Sequence, residues 1–262
     1  MAPLNGFVLG VLFSLSVAPH TFATQHSAHE LIFNIGMGSI PPYTIKQEDG
    51  SVRGIFWDVL SRIAREYDYS VVATEVPTNR VDDFMLEGRV DVTMRAIEWT
   101  RESHRFLFTD PVTVARDVVF TRKDHPLHLE TLEDLAGKTL ITHLGYSYPM
   151  LEHLFESGQT VRLELHDEVS MFRRLAGAKR FDGLLTNDRS GLWIMRKHGW
   201  EDEFQVEAMI LNESPYRLML APRWSHFVAL FNRELAEMKE NGELASIIAS
   251  YDDTALTKEA PQ

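Results

Sequence analysis

The side chains in this sequence that could do chemistry are polar and charged groups set in loops, and their types suit holding a small charged molecule. Tyr43 follows Pro41 and Pro42, and the two prolines force an extended loop that delivers a phenol ring as one wall of a site. Gly145-Tyr146-Ser147-Tyr148-Pro149 falls between a predicted strand and a predicted helix, where unpaired backbone N–H groups and a hydroxyl can hold an anion. Ser147 is the expected N-cap of that helix, with Pro149 in its first turn. Arg95, at the end of another predicted strand, and Arg80, opening a short helix, offer guanidinium groups. Glu98, near Arg95, is either a charge partner or, if enclosed by aromatic residues, an acid–base group of raised pKa. The sequence has no nucleophile-elbow glycine motif, no phosphate loop and no HExxH pair. The 11 histidines are scattered. Their closest pairs, His26 with His29 and His125 with His128, lack the third ligand that zinc requires. With no cysteine, the chain has no disulfide, thiolate metal site or cysteine nucleophile, and no cofactor is expected.

The elements that must position these groups alternate between strands and helices. Leu31 to Gly36 reads as a buried strand, and from Ile55 to Tyr67 apolar residues recur at three- and four-residue spacing, which predicts an amphipathic helix. Val71 to Val76 reads as a second strand, Arg80 to Leu86 as a short helix stopped by Gly88, and Val90 to Ile97 as a third strand. The pattern then returns. Thr131 looks like a helix N-cap, Lys138 to Leu144 like a strand and Pro149 to Glu156 like a helix. Leu175-Ala-Gly177 followed by Phe181-Asp182 echoes Leu86-Glu-Gly88 followed by Val90-Asp91, with two extra residues inserted. Trp224 to Tyr251 is helical in pattern with a break at Asn241-Gly242. These units imply mainly parallel sheets flanked by helices, in two similar lobes with a cleft between them.

Composition agrees with that organisation and restricts the partner. A chain of 262 residues, 44% hydrophobic and 24% charged, is comfortable as two lobes. Phe7 to Ala18 is a largely apolar run and Thr21-Phe22-Ala23 offers small residues for cleavage, so residues 1–23 are expected to be a signal peptide and the protein periplasmic. The formal charge of −12 argues against a nucleic-acid or anionic-membrane surface.

Several phrases together resemble the extracellular solute-binding proteins of family 3, which deliver polar amino acids and related solutes to ABC importers. They include Pro41-Pro42-Tyr43, Gly54-Ile55-Phe56-Trp57-Asp58, Leu86-Glu-Gly88-Arg-Val90-Asp91, Phe108-Thr109-Asp110-Pro111, Leu132-Glu-Asp-Leu135-Ala-Gly137-Lys138, Phe181-Asp182 and Met238-Lys-Glu-Asn-Gly242. The resemblance implies an α/β, two-lobed type II periplasmic-binding-protein fold whose chain crosses between lobes twice, near Val114 and near Pro215. Residues 24–113 and 215–262 would form the first lobe and residues 114–214 the second. It also implies a monomer that closes on a small polar or zwitterionic solute and presents it to a membrane permease or a membrane sensor.

The same resemblance assigns the ring of Tyr43 to stacking on the solute, and the loop Gly145-Tyr146-Ser147 to gripping its carboxylate. The sequence departs from the family at both charged contacts. Ser103 stands where relatives carry a carboxylate-binding arginine, three residues after the threonine matching Thr100, which leaves Arg95, Arg101 and Arg80 as candidates. The acidic residue that pairs with a ligand ammonium would fall at Asn187, with Asp188 beside it, and Glu98 could supply the charge from the other lobe. A rival reading is an enzyme similar to the periplasmic cyclohexadienyl dehydratases on the same fold, with Glu98 as the acid–base group.

Overall fold

A computed structural model of the chain describes residues 29–253, so the predicted signal segment and His26 lie outside the described residues. The strands are β1 (Glu30–Asn34), β2 (Ile45–Lys46), β3 (Val52–Arg53), β4 (Ser70–Thr74), β5 (Val92–Arg95), β6 (Leu107–Phe108), β7 (Thr113–Arg122), β8 (Thr139–His143), β9 (Val161–Leu165), β10 (Gly183–Asn187) and β11 (Phe204–Leu220). The α-helices are α1 (Ile55–Glu66), α2 (Val81–Leu86), α3 (Glu152–Glu156), α4 (Glu168–Gly177), α5 (Asp188–His198), α6 (Ser225–Glu240) and α7 (Glu243–Asp253).

The main sheet runs β4-β1-β5-β11-β7-β10-β8-β9, with β6 also on β11. Each end is a parallel trio, β4-β1-β5 in the first lobe and β10-β8-β9 in the second. The middle is antiparallel, because β7 and β11 pair with each other and each joins one trio antiparallel. Val114 stands opposite Pro215 in that central pair, and β11 leaves β7 at Tyr216 to join β5 from Arg217 onward. Pro215 supplies no N–H, so the ladder lacks a donor where the chain passes between lobes.

Helix α1 buries Ile55, Phe56, Val59, Leu60, Ile63 and Ala64, the stripe its spacing predicts. The break between α6 and α7 falls at Asn241-Gly242, where Gly242 has φ +82° and the Asn241 side chain accepts the Glu243 N–H at 2.8 Å. Thr131 and Asp134 form a capping box, although the turn they start is a short 3₁₀ segment, Leu132–Leu135. The helix expected from Pro149 begins only at Glu152. Tyr148 is buried, and its carbonyl takes the Leu151 N–H at 2.8 Å, so the chain makes a separate turn before α3.

The echo between the two lobes has a physical basis. Asp91 donates its N–H to the Ile32 carbonyl at 2.8 Å, and its Oδ2 accepts the Ile32 N–H at 2.9 Å. Asp182 does the same with Thr139, at 2.9 and 2.7 Å. In both lobes a carboxylate thereby fastens the entry of the third strand to the first. Asp91 has more to lose, since it is buried and also receives Arg223 and, at 2.6 Å, the Trp224 indole N–H. Removing either carboxylate leaves a strand N–H unpaired, which costs about 1–3 kcal/mol. Urea unfolding is therefore expected to show both Asp91→Ala and Asp182→Ala destabilised, Asp91→Ala by more.

Candidate functional site

A cavity of about 230 Å³ lies between the lobes, small beside the roughly 300–1,000 Å³ of pockets for drug-sized ligands. The first lobe contributes Tyr43, Arg95, Trp99 and Tyr216 to its wall; the second contributes Asp117, His143, Tyr146, Glu168, Asn187 and Ser190. Gly145 and Ser147 also reach it.

The aromatic wall is a fixed stack. Tyr216 meets Tyr43 edge-on at 5.1 Å and Phe56 edge-on at 4.9 Å, and lies tilted against Trp99 at 5.5 Å between ring centroids. Gly54 makes room for this arrangement. Its φ is +128°, and a Cβ there would sit 2.7 Å from the Tyr43 carbonyl carbon. Tyr43 is only 1% exposed. The ring packs among core aromatics where it lines the cavity, and the hydroxyl crosses to the second lobe, donating to Asn187 Oδ1 at 2.7 Å. Burial pushes that phenol well above its ordinary pKa, which keeps the donor proton in place.

Asn187 cannot stand in for an acidic contact, because the same Oδ1 caps α5 by accepting the Arg189 and Ser190 N–H groups. Its cross-strand partner on β7 is Asp117, and this residue brings a carboxylate to the wall one strand away from the family position. Asp117 Oδ2 accepts from Asn212 Nδ2 at 3.1 Å, while burial raises its pKa above the usual aspartate value. In the same cavity the buried Ser190 Oγ has no hydrogen-bond partner among the described residues. The other carboxylate, Glu168 in the first turn of α4, meets His143 Nε2 at 3.2 Å, and His143 also contacts Thr186 Oγ1 at 3.2 Å. Burial alone would raise the Glu168 carboxyl, but the hydrogen bond and charge of His143 hold it below the usual range.

Of the three candidate arginines, Arg95 reaches the cavity. It is 14% exposed and oriented by Asp82, with Nη2 to Oδ1 at 3.2 Å. Arg80 and Arg101 are corrected. Arg80 is exposed and stacks over Phe84 at 5.3 Å, because the turn Thr78–Arg80 aims it along the outer face of α2. Arg101 and Glu98 lie exposed on the irregular segment after β5, outside the cavity, which removes the acid–base role expected of Glu98. Asp188 is turned from the wall toward Arg116, at 3.9 Å, and the Arg189 N–H, at 2.6 Å. Ser147 reaches the wall from an exposed turn and caps no helix, since α3 starts later at Glu152. Asp117 has a signal of its own, an acidic residue beside Arg116 within the otherwise apolar segment from Val114 to Phe120. His143 and Glu168 carried none beyond a strand end and an acidic first turn.

A model of the bacterial extracellular solute-binding proteins, family 3, matches residues 34–253. The L-cystine-binding protein TcyJ of Escherichia coli (strain K12) is 23% identical over 226 residues, 84% of this chain and 82% of that one. Among solved structures, the amino acid ABC transporter substrate-binding protein AbpA of Streptococcus pneumoniae bound to L-arginine is similar in fold, with TM-score 0.73 and 15% identity over 88% of this chain and 97% of that one. A histidine kinase sensor domain with similarity to periplasmic binding proteins has TM-score 0.68 and 24% identity, covering 85% and 95%.

The Glu168–His143 pair has a defined pH signature. The folded-state pKa of Glu168 is depressed, so the stability it contributes is present above the unfolded carboxylate value and is lost as pH falls through the folded value. Glu168→Gln is expected to cost about 1–3 kcal/mol near neutrality. In urea melts across the acidic range, the gap between parent and variant should close as pH falls; a gap independent of pH contradicts the pairing.

Proposed function

We propose that this chain, which belongs to the bacterial extracellular solute-binding proteins of family 3, captures one small amino-acid-like solute and presents it to an ABC importer. The observation that carries this reading is that Arg95 from one lobe and Asp117 from the other line the same cavity. A solute with a carboxylate and an ammonium satisfies both only when the lobes are together, so its binding favours the closed state. The carboxylate takes the guanidinium fork and the ammonium takes Asp117, while the Ser190 hydroxyl, unpaired among the described residues, lines the same cavity. Each charge-assisted hydrogen bond contributes about 1.5–3 kcal/mol, so three or four suffice for the roughly −8 kcal/mol of micromolar binding. The reading includes no chemical step, and the solute leaves unchanged. Export with removal of residues 1–23 and action as a periplasmic monomer belong to the same proposal. The likeness to a histidine kinase sensor domain supports a second destination, in which a membrane sensor reads the same closure.

The experiment is thermal unfolding of the protein against amino acids, small organic acids and amines, where a solute at a hundred times its Kd adds about 2.7 kcal/mol of stability. A saturable shift with amino-acid-like compounds recovered intact is the expected result; turnover of the compound contradicts the reading. For the solute so found, Arg95→Ala and Asp117→Asn should each weaken binding tenfold or more, about 1.4 kcal/mol. Because burial raises the Asp117 pKa and a bound ammonium would lower it, calorimetry should show affinity falling as pH drops into the acidic range, with proton release on binding. Asp117→Asn should abolish that dependence.

A further inference from the structure

Outside the cavity, the last turn of α7 grips both lobes through adjacent residues. Tyr251 donates its hydroxyl to Asp58 Oδ2 at 2.5 Å and accepts the Gly54 N–H at 2.8 Å, which holds it to the start of α1 in the first lobe. Asp252 turns the other way and takes Arg189 of α5 in a two-pronged ion pair, Nε to Oδ1 at 2.9 Å and Nη2 to Oδ2 at 3.4 Å. Its carbonyl accepts Arg196 Nη1 at 2.8 Å. A third arm of Arg189 donates to Thr113 Oγ1 at 3.1 Å, where β7 begins. None of Arg189, Arg196 and Asp252 lines the cavity.

Arg189 is placed against its own helix. It sits in the first turn of α5, where the helix dipole disfavours a cation, and what compensates it is the C-terminal end of α7, where the dipole favours one. Arg196, nearer the other end of α5, reaches the same helix end. Two residues before Arg189, Asn187 receives the Tyr43 hydroxyl. The segment that makes the cross-lobe contact at the cavity wall thus makes another outside it.

We infer that Arg189, Arg196 and Asp252 form an interlobe clasp, a set of positioning residues that favour the closed arrangement and so set the affinity of the cavity without touching its contents. The inference rests on the proposal that solute is captured by lobe closure. Apparent affinity is the intrinsic affinity scaled by the fraction of molecules in the competent state, so loosening the clasp weakens binding by the same factor by which it depopulates that state.

The absence of native cysteine allows a direct test on the full chain. Spin labels attached through Asp83→Cys and Glu156→Cys, both exposed and in opposite lobes, report the interlobe distance by pulsed electron resonance without added solute. Asp252→Ala and Arg189→Ala are expected to shift the population toward longer distances, Arg189→Lys by less, and the exchange Arg189→Asp with Asp252→Arg to move it back. For the solute found by thermal screening, Asp252→Ala should raise Kd about tenfold through faster release. Distance distributions that superimpose on the parent for both alanine variants, with circular dichroism showing each folded, overturn the clasp. If no solute binds the parent chain, the capture reading fails, and the distances still decide the clasp.

Discussion

The pairing of β7 with β11 is the constraint on which the rest of the molecule depends. These two antiparallel strands join the parallel trios, so each lobe can build its own core while the sheet stays continuous. The same pair also supplies the floor of the cavity, since Ala115 and Asp117 on β7 and Tyr216 on β11 all line it. Proline at the crossing removes one donor from the ladder where the chain passes between the lobes.

The charges in the cavity follow from that floor. At position 187 an amide oxygen caps α5 and accepts the Tyr43 hydroxyl from the other lobe, and carries no charge. On the neighbouring strand its register partner is a carboxylate, Asp117, which also lines the cavity. In the first lobe Arg95, at the end of β5, brings a guanidinium to the cavity, and Asp82 of α2 holds its orientation. In a low-dielectric enclosure such groups bind the right partner strongly and penalise a solute that leaves one of them unpaired.

Periodicity and turn chemistry made most of the fold legible. The stripe of α1, the stop at Asn241-Gly242 and the strand–helix alternation are local features that tertiary contacts leave intact. The echo of Asp91 in Asp182 was visible as a pattern, and its cause, a carboxylate closing the first strand on the third, is a contact between residues far apart in the chain. The site was less legible for the same reason. Choosing among Arg80, Arg95 and Arg101 depends on the direction in which each side chain leaves its segment, and spacing alone does not give direction after an irregular turn. Asp117 was overlooked because its meaning comes from a cross-strand neighbour seventy positions on. The loop marks Tyr43 as a wall residue, but its packing against Tyr216 and its hydrogen bond to Asn187 are contacts with distant parts of the chain that the loop does not give.

The central claim is that one solute bridges the lobes between Arg95 and Asp117. The measurement that tests it most directly is a crystal structure of the protein grown with the solute that stabilises it. Density for that solute in the cavity, its carboxylate on the Arg95 guanidinium and its ammonium on the Asp117 carboxylate, is the predicted result. A solute bound elsewhere, or held in the cavity with neither Arg95 nor Asp117 in contact, would contradict it.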